Sequence, residues 1–166
     1  MIKIKFIQDV SLKDSLIFDE EYPENLKFDL ETKQGLKNDG CEFFYMINAE
    51  TNELIGETCF LPLDTMQDWG PEEEQLEDGL EPFYGRNAMY CYSNTILGKY
   101  QKQGYGKLLK AWFLGYAKAK RFDLIVSHAR DNGSIKLNLS FGAEIIQSFN
   151  NWFQTGETVY LYTQKI

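Results

Sequence analysis

The chain has only three cysteines and a single histidine in 166 residues. Cys41, Cys59 and Cys91 are odd in number, far apart and set in apolar, strand-like runs. That pattern excludes a disulfide framework or a metal cluster and predicts buried, reduced thiols in a reducing compartment. No apolar run is long enough to cross a bilayer, and no linker, repeat or low-complexity tract interrupts the chain. Met1-Ile2-Lys3-Ile4-Lys5-Phe6 alternates like a strand, without the apolar segment and small-residue cleavage site of a signal peptide. A cytoplasmic location is expected, with no membrane partner. This length holds one domain with a real core, 1–166, and is short for two. Basic residues are the scarcer charge, 17 against 25 acidic, so the net charge is 17 − 25 = −8. Such a field repels nucleic acid and anionic membranes and mildly favours a cationic partner, although solubility alone also accounts for it.

What is present reads as alternating elements. Ile2, Ile4 and Phe6 mark a first strand. Ser11-Leu12-Lys13-Asp14 has capping-box spacing and opens a short helix through Leu16, Ile17 and Phe18, closed by Pro23. A second helix is expected over 24–38 with Gly40 as its stop; its apolar face of Leu26, Leu30 and Leu36 is thin, which places it on the surface. Strands follow over 41–47 and 54–61, joined by the turn Glu50-Thr51-Asn52-Glu53. The composition then shifts to a long acidic loop over 64–82. Beyond it come a strand over 88–97, a helix to Lys120 with Leu108, Leu109, Trp112, Phe113, Tyr116 and Ala117 on one stripe, and the apolar strand Leu124-Ile125-Val126. A helix over 134–141 ends at Gly142, and a hairpin of strands 144–153 and 158–163 around Thr155-Gly156-Glu157 closes the chain. This order calls for a mixed sheet flanked by helices.

The chemistry concentrates after the 88–97 strand. There Gly98-Lys99-Tyr100-Gln101-Lys102-Gln103-Gly104-Tyr105-Gly106-Lys107 leads into the long helix. A loop entering a helix aims several amide N–H groups at one point, where the positive end of the helix dipole adds to them. Gly104 and Gly106 remove side chains that would keep a phosphate from the backbone. The site suits a diphosphate, although a glycine turn chosen for geometry alone reads the same way. A P-loop is excluded because Lys107 is followed by Leu108, and a dinucleotide fingerprint because Leu109 stands where its third glycine would be.

Gln101-x-x-Gly104-x-Gly106 resembles the (Gln/Arg)-x-x-Gly-x-(Gly/Ala) signature of the GNAT superfamily, the acetyl-CoA-dependent N-acetyltransferases. The resemblance covers nearly the whole chain: the element order agrees, Asn52-Glu53-Leu54-Ile55-Gly56 is similar to the family's second hairpin, and 134–143 to its fourth helix with terminal glycine. It implies an α/β (α+β) fold, with a mixed, mostly antiparallel sheet of six to seven strands and helices on both faces. It also implies acetyl-CoA as cosubstrate, no metal, and an amine acceptor, either a small molecule or a peptide. Backbone groups near Ile96 and Leu97 would take the pantetheine arm, with an N–H near Ile96 as donor to the developing oxyanion. Gln101 and the segment Gln103, Gly104, Tyr105, Gly106 and Lys107 would hold the pyrophosphate. Asp131, beside Asn132, falls where the family carries an asparagine at its fourth helix. The strand ending near Leu97 would splay from the one containing Ile125.

The chemistry implied is attack of a neutral amine on a thioester. A lysine-like amine with a pKa of about 10.4 is protonated at neutral pH, so a proton must be removed. Where some members carry a glutamate on the fourth strand, this chain has Tyr90, with Tyr92 and Asn94 on the same face. Glu57 and the acids of the 68–78 loop are the remaining base candidates, set against a plain reading of solvated surface charges. Asn138 takes the place of the family's thiolate-protonating tyrosine. An amide has no useful acidity, so either Tyr92 or another tyrosine substitutes, or CoA leaves as thiolate, or the activity is reduced. His128, at the end of a strand, could be a base, but with no partner in the motif it reads as a packed or edge histidine; Trp152 and Phe153 read as core or as the acceptor side. Lys99, Lys102, Lys107 and Lys136 surround the expected phosphate site. The leading expectation is an N-acetyltransferase; the others are a non-catalytic acyl-CoA-binding domain and an interaction module with a vestigial loop. The aromatic closing hairpin offers a surface for a homodimer.

Overall fold

The fold comes from a computed structural model that describes residues 2–8, 30–68 and 78–166. The helix expected over 11–18, its stop at Pro23, the 24–29 start of the second helix and the acids of 69–77 lie outside the described residues. The described elements run β1 (Ile4–Gln8), α1 (Leu30–Asn38), β2 (Glu42–Asn48), β3 (Leu54–Pro62), β4 (Ala88–Ile96), α2 (Tyr105–Ala119), β5 (Leu124–Arg130), α3 (Gly133–Ser140), β6 (Glu144–Phe149) and β7 (Val159–Lys165). The strands form one seven-stranded mixed sheet in the order β1-β2-β3-β4-β5-β7-β6. β1 with β2, β2 with β3, β5 with β7 and β6 with β7 pair antiparallel, and β4 pairs with β5 in parallel. That parallel register ends at Tyr90↔Val126, although β4 continues to Ile96 and β5 to Arg130.

The chain gathers into two compact units, residues 1–60 with 93–113 and residues 61–92 with 114–166. In the first, successive residues of β2 point to opposite faces, and each face has its own helix. Phe44 and Phe60 pack against Trp112 and Phe113 of α2, with ring centroids 4.8 and 5.2 Å apart. On the other face, the ammonium of Lys33 from α1 lies over the rings of Phe43 and Tyr45. The expectation of a surface helix over this region is corrected here: Lys33 and Leu36 of α1 are both buried. A thin apolar stripe was enough, because a lysine completes the buried face with its stem and finds a partner for its charge.

In the second unit β5 runs four residues beyond the expected Val126, carrying polar Ser127, His128 and Arg130. Each has a partner that lets it stay in the sheet: the Ser127 hydroxyl donates to the Cys91 carbonyl, and Arg130 pairs with Glu157 at 3.6 Å. Asn132 caps α3 by accepting the Ser134 amide at 2.7 Å, and Gly142 leaves the helix at φ +87°. The three cysteines are buried and none is in a disulfide.

Candidate functional site

The signature loop is anchored from below. Ile96, Tyr100 and Tyr105 pack on a buried cluster of Met46, Ile55 and Leu109. The Leu97 amide donates to the Ile55 carbonyl at 3.0 Å, so Leu97 remains in register with β3. Because strand residues alternate, the amide of Ile96 points the opposite way. The Ile96 carbonyl is taken by the Gln101 side chain at 3.1 Å, and that bond folds the loop back on the strand it leaves. Gly56 explains how closely β3 and β4 approach. A Cβ at that position would stand 2.6 Å from Ile96 Cδ1 and 2.8 Å from the Thr95 carbonyl.

The turn then tightens. Tyr100 and Gln101 amides donate to the Leu97 and Gly98 carbonyls, and the Gln103 side chain donates to the Lys99 carbonyl at 2.8 Å. Lys102 and Gly104 adopt φ +59° and +90°. The first bond into α2 runs from Leu108 to the Gly104 carbonyl, so the amides of Tyr105, Gly106 and Lys107 precede the helical ladder and have no acceptor inside it. Residues 101–104 are exposed, and a Cβ built on Gly104 would meet nothing within 4 Å. Glycine is kept there by backbone conformation and leaves open the space in front of the first-turn amides. Those features fit a diphosphate. Of the expected lysines, Lys99 is engaged in an ion pair with Glu53, while Lys102, Lys107 and Lys136 are exposed.

Glu57 belongs to the same unit, and its reading as a solvated surface charge is overturned. It is fully buried in β3 and pairs with Lys33, Oε2 to Nζ 2.6 Å. Burial raises its carboxyl to about 7, with the charge of Lys33 and the Tyr45 hydroxyl pulling the other way. Removing one partner of such a pair costs about 3–5 kcal/mol, because an unpaired charge is left in the core. No sequence feature marks Lys33, though Glu57 carries a signal. It sits inside β3, where every residue from Ile55 to Leu61 is buried, so its charge has no route to water.

Tyr92, Asp131, Asn132 and Asn138 all lie in the other unit. Tyr92 is half-buried on β4 and Asn138 is buried on α3, its carbonyl accepting the Phe141 and Ala143 amides. The Asp131 amide donates to the Thr158 carbonyl, and the Asn132 side chain is the helix cap already described. His128 has partners on every side. Nδ1 lies 2.8 Å from the Tyr90 hydroxyl, Nε2 lies 3.0 Å from the Asp78 carbonyl, and the Trp152 ring is 4.6 Å away. Burial lowers its pKa to about 4. Phe153 stacks edge-on against Trp152 at 5.5 Å.

By sequence, no protein-family profile and no curated protein matches the chain. Solved structures do match by fold. A GNAT family acetyltransferase from Elizabethkingia anophelis, with acetyl-CoA bound, superposes with a TM-score of 0.67 at 16% identity, covering 98% of each chain. The ribosomal-protein-S18-alanine N-acetyltransferase from Escherichia coli gives 0.70 at 10% identity over 99% of this chain and 94% of its own. The ribosomal-protein-alanine N-acetyltransferase from Brucella melitensis gives 0.69 at 17% identity over 99% and 100%.

Proposed function

We propose, starting from the GNAT acyltransferase fold that this chain carries, that it is an acetyl-CoA-dependent N-acetyltransferase acting on a primary amine. The observation that carries the reading is the first turn of α2. Its amides precede the helical ladder beside Gly104, in a turn that already departs from L-residue geometry. In this reading the amides of Gln103 to Lys107 hold the pyrophosphate, Lys102 and Lys107 add charge at its margin, and the outward amide of Ile96 serves the acyl end. Acetyl-CoA supplies the acetyl group as a thioester.

What the chain's own residues do follows from their surroundings. Among the side chains expected to act on the reacting atoms, Glu57 has an environment suited to a base, since burial brings its carboxyl into the range where it both exists ionised and accepts a proton. The acceptor is an amine that arrives protonated, a small molecule or a peptide, and the net charge of −8 favours a cationic one. The two relatives above named for ribosomal-protein alanine support an amine carried on a polypeptide.

Titration calorimetry with CoA on the native protein and Gly104→Val tests the loop. A Cβ-branched side chain fills the open space, so affinity should fall at least ~10-fold, about 1.4 kcal/mol. Equal affinity for both proteins would remove the basis of the reading. A second reading has its own support. Tyr90 is committed to His128 and Asn138 offers no acidic proton, which suits a domain that binds an acyl-CoA without turning it over. Thiol release on addition of an amine panel separates the two, because binding without release favours the second.

A further inference from the structure

Lys33 lies on α1 with its side chain withdrawn from solvent, and the group it reaches is Glu57, 2.6 Å from its Nζ. The rings of Phe43 and Tyr45 stand 5.3 and 5.7 Å from the same nitrogen. A carboxylate flanked by two aromatic rings recognises a primary ammonium, because charge pairs with charge and each ring presents electron density to the cation. Core stability is a poor reason to keep such a pair, since well-packed apolar residues of similar volume often serve as well or better.

We propose that Phe43, Tyr45 and Glu57 form an ammonium-binding site, and that Lys33 fills it as an internal stand-in for the amine of the acceptor. Exchange of one ammonium for another leaves the carboxylate paired throughout, so displacement of Lys33 avoids stranding a buried charge. The helix that carries Lys33 is suited to such exchange. Gly35 sits inside the described span of α1, in open space. A glycine within a helix weakens its intrinsic stability, so the helix depends more on its docked face for order. That face is Lys33 and Leu36. The identification of the incoming amine with the acceptor rests on the acetyltransferase reading; the ammonium site itself does not.

The test uses propylammonium chloride, which replaces the atoms from Cγ to Nζ that Lys33→Ala removes. The unfolding midpoint of Lys33→Ala should rise saturably with propylammonium, beyond any effect of sodium chloride, and should not rise with 1-propanol. The rise should vanish in the Lys33→Ala, Glu57→Gln double variant. In the native protein, propylammonium should speed amide hydrogen exchange across residues 30–38 while exchange in β2 and β3 stays constant. No saturable rise in Lys33→Ala overturns the site, and unchanged exchange over 30–38 overturns the stand-in role. If Lys33→Ala does not fold, the exchange measurement on the native protein decides alone. None of these readouts involves CoA. They can fail while calorimetry still finds CoA on the loop, and they can succeed if it does not.

Discussion

The hydroxyl of Tyr90 donates to Nδ1 of His128 across 2.8 Å, and the Asp78 carbonyl on the other side of the ring fixes which nitrogen carries the proton. A carbonyl only accepts, so Nε2 must be the N–H, and Nδ1 is left to accept from the phenol. Burial holds the ring's pKa down to about 4 from 6.5, which keeps it neutral at pH 7 and makes this tautomer the one present. The unfolded chain takes up that proton at higher pH, so this contribution to stability is full above pH 6.5 and is lost as pH falls towards 4. At about 1.4 kcal/mol per unit the loss reaches roughly 3 kcal/mol. Glu57 works in the opposite direction: its raised pKa gives stability below 4.5 that is lost as pH rises to about 7. The comparison that isolates His128 is native protein against His128→Gln, which keeps one donor and one acceptor. Urea unfolding should show the native protein losing more stability than the variant between pH 6.5 and 4. Equal pH slopes would contradict the assignment.

The glycine loop and the helix after it were legible because the signal is local: a strand end, two glycines and a long apolar stripe lie within twenty consecutive positions. Tyr90 with His128 was not, since it depends on the parallel register of β4 on β5, Tyr90↔Val126, which places a residue two positions further along β5 within reach. Nothing in either segment announces that register. Glu57 stood between these cases. Its apolar neighbours Ile55, Cys59, Phe60 and Leu61 carry a signal of burial, yet a charge there reads as solvated, because the cation that makes burial tolerable comes from a helix that reads as surface. The sequence ends β5 at Val126, because Ser127, His128 and Arg130 look like a loop until their partners Cys91, Tyr90 and Glu157 are in place.

Gly56 should tolerate no side chain. A methyl group there would lie 2.8 Å from the Thr95 carbonyl, which is backbone in the neighbouring strand and cannot turn aside as the Ile96 side chain can. Overpacking of this kind costs about 1–3 kcal/mol. Gly56→Ala should lower the urea midpoint accordingly. Because Ile96 and Leu97 lead directly into the loop, it should also weaken CoA binding in calorimetry.

In the proposed reaction Glu57 would serve as the base only when ionised. With its carboxyl raised to about 7, kcat/KM should climb with pH through an inflection near that value. Lys33 lowers this pKa, so a neutral Lys33→Met must move the inflection to higher pH. Glu57→Gln should reduce kcat about 100-fold or more without changing the affinity for CoA. A pH profile that ignores both substitutions would leave Glu57 as a structural partner of Lys33.

The loop after β6 holds Trp152 against His128 at a conformational cost. Asn151, Phe153 and Gln154 all have left-handed backbones, at φ +54°, +46° and +59°. Asparagine bears this readily, and Asn151 also accepts the Gly156 amide with its side chain at 2.9 Å. Phe153 is compensated by its edge-on contact with Trp152. Gln154 is exposed, so Gln154→Gly relieves strain with little packing to lose and should raise stability by up to about 1 kcal/mol. Phe153→Ala should do the reverse, since alanine keeps the unfavourable φ and gives up the ring. Urea midpoints for the two variants should fall on opposite sides of the native value, and tryptophan fluorescence should shift to the red only for Phe153→Ala. If both variants destabilise, the left-handed turn is not what limits this loop, and Gln154 must be held by its side chain.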